Sequence, residues 1–329
     1  MKMKDYINDF TNHLKDAIII GEKSSLNINN SKIDNVLICG LGGSGIGGTI
    51  VADIISQKAA VPVLTNKDYS IPSFVNQNTL VIANSYSGNT EETISALKKC
   101  FEKNAEIAII SSGGELVEFA KKNDCNFITI PAGNPPRAMF GYAFTELFYI
   151  LNSYGVVDDS FKLHFKNAIE LLIIEKKNIQ VEAQKLATKL YKTTPIIYVA
   201  NGFEGVAIRF RQQINENSKM LCWHHVVPEM NHNELLGWRT NVEKLAVVYF
   251  RNHIDNDRNK IRIDINKSVI SKYTENINEI WSKGGSLIEN SLYHIYLGDW
   301  TSWYLSELNG VDAIEIDVID YLKNELGKL

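Results

Sequence analysis

The chain has 329 residues, 45% of them hydrophobic and 22% charged, which is length enough for two domains that each bury a sizeable core. Its 34 Lys and Arg against 38 Asp and Glu give a net charge of -4 with no dense basic run, which argues against nucleic acid as a partner. No apolar run approaches a membrane span, the first residues carry acids, and the scattered Cys39, Cys100, Cys125 and Cys222 lack CxxC spacing, so the expectation is a cytoplasmic protein without zinc site, disulfide framework or membrane association.

Residues 5–20 carry Tyr6, Phe10, Leu14, Ala17 and Ile18 on one stripe, which predicts one amphipathic helix. Asn35 to Cys39 predicts a buried strand that leads into a glycine-rich turn, Gly40-Leu41-Gly42-Gly43-Ser44-Gly45-Ile46-Gly47-Gly48, and then an apolar helix from Thr49 to Ile55. Taken literally, Gly40-x-Gly42-x-x-Gly45 with Asp68 further on matches the dinucleotide-binding fingerprint. A lone match of this kind is weak, and a nicotinamide cofactor gives no reason for the hydroxyl-rich turn that ends a later strand. That strand is Thr79 to Ala83, and the turn is Asn84-Ser85-Tyr86-Ser87-Gly88-Asn89-Thr90-Glu91-Glu92, before a helix from Thr93 to Lys99. The first N–H groups of a helix lack intrahelical partners and carry the positive end of its dipole, so Ser85, Ser87 and Thr90 around Gly88 make an uncharged cradle for a phosphate. Any single Ser-Gly-Asn-Thr is more often a helix end that satisfies itself. Two such turns at the carboxyl edge of one parallel sheet favour a ligand: Gly43 and Ser44 approach one side of a sugar phosphate while the hydroxyls hold its phosphate.

The alternation continues through a strand at Ile107 to Ser111, a helix from Glu115 to Lys122 and a strand from Phe127 to Pro131, predicting a doubly wound parallel-sheet α/β sandwich. Pro135-Pro136-Arg137 stands at the mouth of an apolar helix, Ala143 to Leu151, where two prolines stiffen the placement of an Arg able to stabilise an oxyanion. A surface or interlobe salt bridge is the commoner use of such an Arg. A turn at Tyr154 to Asp159 and a charged amphipathic helical stretch lead to a second α/β unit. There the pattern predicts a strand from Pro195 to Ala200, a helix from Phe203 to Lys219, a strand from Lys244 to Phe250, and helices from Ser268 to Lys283 and Asp299 to Gly310. The predicted organisation is two lobes, residues 1–152 and 153–329, with a ligand between them.

Gly42-Gly43-Ser44-Gly45, Ser85 to Thr90, Pro135-Pro136-Arg137, Asn215-Glu216-Asn217 and Pro228-Glu229-Met230-Asn231-His232-Asn233-Glu234 together resemble the bifunctional phosphoglucose/phosphomannose isomerase family, built from two sugar-isomerase (SIS) domains. The resemblance implies two SIS-type α/β sandwich domains and an aldose–ketose isomerase, independent of cofactor and metal, that interconverts glucose 6-phosphate or mannose 6-phosphate with fructose 6-phosphate. It implies that Glu216 moves a proton between adjacent carbons, that Arg137 stabilises the enediolate oxygen, and that His232 opens the sugar ring from the neighbouring subunit of a homodimer. It also implies that Lys323, on a terminal helix, reaches into the site.

The residues by themselves leave other uses open. A Glu on a helix is ordinarily exposed, a His among Asn and Glu ordinarily braces a loop, His224 and His225 compete for any role given to His232, and lysines on terminal helices are ordinarily solvated. His232-x-Glu234 is not a zinc spacing. Asp312-Ala313-Ile314-Glu315-Ile316 stands where the family often shows a Pro-Thr-Pro type sequence, a departure that bears on the mannose epimer. A non-catalytic sugar-phosphate-sensing module would keep the hydroxyl cradle and dispense with the base, and the intact Asn-Glu-Asn context counts against it.

Overall fold

Runs of β-branched and aliphatic residues too short for a helix form strands, and where helices cover both faces of a sheet such runs are apolar without alternation. In the computed structural model, which describes residues 2–28, 32–240 and 244–328, β1 (Asn35–Cys39), β3 (Thr79–Asn84) and β4 (Glu106–Ser111) are of this kind, with β2 (Val63–Asn66) and β5 (Asn126–Thr129) at the edges. All pairs are parallel, in the order β2-β1-β3-β4-β5. A second parallel sheet has the order β7-β6-β8-β9, from β6 (Thr194–Ala200), β7 (Trp223–Val227), β8 (Leu245–Arg251) and β9 (Ile277–Trp281). The doubly wound α/β class expected for both halves is therefore observed. The outer limits of the predicted lobes, residues 1 and 329, lie outside the described residues.

Twelve α-helices complete the described chain: α1 (Met3–Asn8), α2 (Phe10–Lys23), α3 (Gly42–Ile55), α4 (Glu91–Glu102), α5 (Gly114–Asn123), α6 (Phe140–Ser153), α7 (Ser160–Leu190), α8 (Glu204–Ser218), α9 (Glu234–Gly237), α10 (Asp257–Ile270), α11 (Leu287–Asn309) and α12 (Asp317–Leu326). One continuous apolar cluster runs through α2, α3, α6, α7, α8 and α11, so the helices between the sheets belong to a shared core. Phe144, Phe148, Phe161 and Phe165 stack or meet edge-to-face within it, each burial contributing about 2–3 kcal/mol.

Four sequence expectations are corrected. The single helix over 5–20 is two helices broken at Asp9, whose φ of -91° and ψ of 2° leave the helical path; its carboxylate accepts from Asn12 Nδ2 at 2.6 Å, the local competition that Asp offers a helix. The helix expected from Ser268 to Lys283 is instead the end of α10 followed by β9, and Ile277 and Ile280 pack on the sheet. The helix expected from Asp299 begins twelve residues earlier, because Ser286 caps it by accepting from Glu289 N–H at 3.2 Å while the Glu289 carboxylate reaches back to Gly285 N–H at 3.0 Å. The glycine turn expected to run to Gly48 ends at Leu41, and the remaining glycines lie inside α3. They let that helix lie against its own strand: a Cβ on Gly45 would sit 2.2 Å from the Gly40 carbonyl oxygen, and one on Gly48 2.7 Å from Ile38 Cγ2.

Candidate active site

Because β1 and β3 are neighbours in the first sheet, the two turns that follow them meet. Asn84 Nδ2 donates to the Ser44 carbonyl at 2.9 Å, and Tyr86 N–H donates to Ser44 Oγ at 3.0 Å, leaving the Ser44 hydroxyl proton to donate elsewhere. Gly88, at φ +72°, presses so closely on the loop after β4 that a Cβ would lie 1.8 Å from the Gly113 carbonyl oxygen. Ser85 is buried and its hydroxyl lies 2.7 Å from that of Thr90, which braces the turn from behind, whereas Ser87 is exposed at its tip. Thr90 precedes α4 without a side-chain cap bond, so the first N–H groups of that helix remain available to an anion. Asp68, the acid of the dinucleotide reading, closes its own turn with the Ser70 hydroxyl at 2.9 Å and Tyr69 N–H at 2.6 Å.

The N-terminus of α3 lies on the Pro-Pro-Arg segment, where a Cβ on Gly43 would come within 3.1 Å of Arg137 Cα. Pro136 opens a 3-10 turn, Pro136–Met139, that carries Arg137 inward, and its side chain is only 5% exposed rather than on the surface. Nε donates to Asn217 Oδ1 at 2.8 Å, and Nη2 donates to the carbonyls of Ala313 and of Ile314, the latter at 3.2 Å. Nη1 lies 3.4 Å from Glu216 Oε2. Burial pulls the Arg137 pKa below its ordinary value, and the carboxylates of Glu216 and Asp312 oppose that pull. Glu216 sits in the last turn of α8 with its side chain 27% exposed, neither on the open surface nor sealed in the core. Its backbone carbonyl accepts from Lys219 Nζ at 2.6 Å, and the same ammonium donates to the Glu315 carbonyl at 2.8 Å.

His232 and Lys323 stand apart from this group. His232 is exposed at the end of a 3-10 turn, Glu229–His232, after β7, and among the described residues no hydrogen bond or ion pair joins its ring to Arg137 or Glu216. Its rivals are occupied: His224 lies between Arg211 Nη1 at 3.3 Å and Glu204 Oε1 at 3.6 Å, with burial and then Arg211 lowering its pKa, and His225 Nδ1 accepts from Val226 N–H at 2.8 Å. Lys323 is exposed on α12, with Nζ 4.0 Å from Asp320. Lys219 and the contacts that the Ala313 and Ile314 carbonyls make with Arg137 are what sequence reasoning passes over. Asn217 was in view as part of the Asn-Glu-Asn context, but nothing local says that its amide faces an arginine 80 residues away.

A cleft of about 880 Å³ lies at the carboxyl edge of the second sheet, lined among others by Asp53, Lys58, Asp158, His164, Asp255 and Ser286, and by none of the candidate site residues. Burial pushes the Asp53 carboxyl up to about 6, against the Gly205 N–H that it accepts at 2.7 Å. With three carboxylates against one lysine and one histidine, and the start of α11 engaged by Glu289, this cleft suits a phosphate dianion poorly. Among the described residues no group of three or more His, Cys, Asp or Glu is arranged to hold a metal ion, and no helix is long and apolar enough to cross a membrane.

The SIS domain family matches residues 30–151, and the bacterial phospho-glucose isomerase C-terminal SIS domain matches residues 179–326. The chain is 38% identical over 340 residues to the bifunctional phosphoglucose/phosphomannose isomerase of Caldicellulosiruptor bescii, covering 99% of each chain. It is 33% identical to the protein of the same name from Aquifex aeolicus, covering 89% of this chain and 90% of that one. Among solved structures, the C-terminal domain of glucosamine-fructose-6-phosphate aminotransferase from Francisella tularensis superposes with a TM-score of 0.75 over 95% of this chain and 98% of that one, at 14% identity, which is a likeness of fold.

Proposed function

Since the chain belongs to the bifunctional phosphoglucose/phosphomannose isomerase family and is an aldose–ketose isomerase, we propose that it interconverts glucose 6-phosphate, with mannose 6-phosphate as the second epimer, and fructose 6-phosphate in the cytoplasm, a step of glycolysis and gluconeogenesis. The observation that carries this reading is the approach of Arg137 Nη1 to Glu216 Oε2, 3.4 Å, beside the hydroxyl-lined edge of the first sheet. Ser87, Thr90 and the open N–H groups of α4 take the phosphate, Ser85 braces them, and Gly43 and Ser44 lie along the sugar. The Glu216 carboxylate removes the proton from C2 of the open-chain aldose, the enediolate oxygen is stabilised by Arg137 Nη1, and the same carboxyl returns the proton to C1. An aldohexose phosphate is mostly a closed ring, so a further acid and base must open it first; His232 does so, with Lys323 beside the sugar. The exposure of both supports a homodimer in which a second copy completes each site. Glucose is placed ahead of mannose because Asp312 to Ile316 departs from the Pro-Thr-Pro type sequence.

The test is deuterium incorporation. With fructose 6-phosphate in D2O, label is expected at C2 of the aldose product, and Glu216→Gln should lower kcat by roughly 10²–10⁴-fold, the usual contribution of a general base, with KM changed by less than about threefold. Unchanged turnover in that variant would remove Glu216 from the mechanism.

A further inference from the structure

Arg137 is held through both its side chain and its backbone by a closed circuit of hydrogen bonds whose other members all come from α8 and α11. Nε donates to Asn217 Oδ1 at 2.8 Å, Asn217 Nδ2 to Ser302 Oγ at 2.9 Å, and Ser302 Oγ to the Asp299 carbonyl at 2.8 Å. The Asp299 carboxylate accepts from Arg209 Nη2 at 2.7 Å, and Arg209 Nη2 donates back to the Arg137 carbonyl at 3.4 Å, closing the ring. Gln213 Nε2 occupies the second Asp299 oxygen at 2.9 Å, and the Arg209 guanidinium lies 4.2 Å from the centre of the Phe140 ring. Every member is buried. A buried ion pair gains little net stability over apolar packing of the same volume, because desolvation offsets the attraction. What this one supplies is orientation.

The donor count shows how. A guanidinium has five N–H groups in a rigid plane; Asn217 takes Nε–H, the Ala313 and Ile314 carbonyls take Nη2, and Nη1 is the end left facing Glu216. Asn217 directly follows Glu216 on α8, so the contact that fixes the guanidinium plane also fixes its separation from the carboxylate. Resting on the role given above to Arg137, we propose that Asn217, Ser302, Asp299 and Arg209 are positioning residues, which set the angle and distance at which Arg137 Nη1 meets the enediolate oxygen.

Steady-state kinetics on the full chain with fructose 6-phosphate test this. Asn217→Ala and Ser302→Ala are each expected to lower kcat roughly ten- to a hundredfold, the scale on which a displacement of about 1 Å costs catalysis, with KM within about threefold. Arg137→Ala supplies a readout that a merely structural role would not move. Millimolar guanidinium ion should restore part of its activity, because Asn217 Oδ1 and the two carbonyls still form a cradle, and adding Asn217→Ala or Ser302→Ala should abolish that rescue. If Asn217→Ala fails to fold, Ser302→Ala, which removes one hydroxyl, decides the matter alone. An unchanged kcat in the circuit variants beside an impaired Arg137→Ala, or rescue that survives their addition, overturns the positioning role. Full activity in Arg137→Ala would instead overturn the role of Arg137 itself, so the two failures read differently.

Discussion

At the carboxyl edge of the first sheet the chain passes from β3 into α4 with no side-chain cap on that helix, while at the corresponding edge of the second it passes from β9 into α11 through a Ser286–Glu289 capping box. The first edge leaves its N–H groups and the Ser87 hydroxyl facing outward. The second spends its polar groups on itself: Ser282 donates within reach of Asn252 and Asn290, Asn252 N–H donates to Asp255 at 3.0 Å, and the His294 ring lies 3.1 Å from Asn252 Oδ1. Two parallel sheets with the same direction of ladder thus diverge by where hydrogen bonds are satisfied. An unsatisfied helix start beside small residues suits an anion, and a satisfied one serves as a joint. The second half contributes to the proposed site from the far end of α8, where Glu216 and Asn217 meet Arg137.

Closing the first edge should have the largest effect. Gly45→Ala forces a Cβ against the Gly40 carbonyl, a backbone atom that cannot rotate away, and should cost about 3 kcal/mol or more together with substrate binding. Gly202→Ala at the second edge, where φ is +96° and an added Cβ would meet nothing within 4 Å among the described residues, should cost only about 1–2 kcal/mol of backbone strain. Urea unfolding of the pair compares them, and equal costs would mean that the first edge is no more tightly built than the second.

Next in size is a contrast in pH. Burial alone pushes the Glu146 carboxyl on α6 from 4.5 up to about 8, and among the described residues neither of its oxygens has a partner. A folded value above the unfolded one means stability that is present in full below pH 4.5 and is lost as pH rises through 8. Burial pushes His294 on α11 the other way, from 6.5 down to about 3, with the nearby Arg251 backbone opposing. Its contribution is present above pH 6.5 and is lost as pH falls toward 3. Between pH 4.5 and 6.5 the two slopes oppose each other, so unfolding free energy should be level there and should fall by about 1 kcal/mol per pH unit above 6.5 and below 4.5. Glu146→Gln should flatten the alkaline limb and extend the acid one up to pH 6.5.

The smallest effects separate binding from stability. Ser87→Ala should raise the Kd of a phosphorylated sugar acid about fivefold, the worth of one hydrogen bond of about 1 kcal/mol, and leave Tm unchanged. Ser286→Ala should do the reverse, lowering stability by about 1 kcal/mol with Kd unaltered. A Kd that follows Ser286 instead of Ser87, read by calorimetric titration, would exchange the roles of the two edges.

The strands that the sequence made plain are β1, β3, β4, β6 and β8, each flanked by a strand on both sides, together with the edge strand β5. Those it concealed, β2, β7 and β9, are all edge strands. An edge strand carries polar residues, as β2 does at Thr65 and Asn66, β7 at His224 and His225 and β9 at Asn278 and Glu279, and its apolar signal falls toward that of a loop. The capping box at Ser286 was a readable signal that periodicity alone did not weigh. At the site the same division holds. Ser85 to Thr90 is legible because a turn, its glycine and its hydroxyls are local.

Neighbours in sequence therefore decided which helix ends would be open and where the apolar strands would run, since periodicity, turn chemistry and capping act over a few residues. Folding decided that the Gly43 backbone would lie on Arg137, that Arg137 would be buried rather than paired at the surface, and that Asn217, Ala313 and Ile314 would divide its donors. Those contacts join residues from 80 to 177 positions apart, and an arginine withdrawn from water takes whichever acceptors the packed helices bring to it.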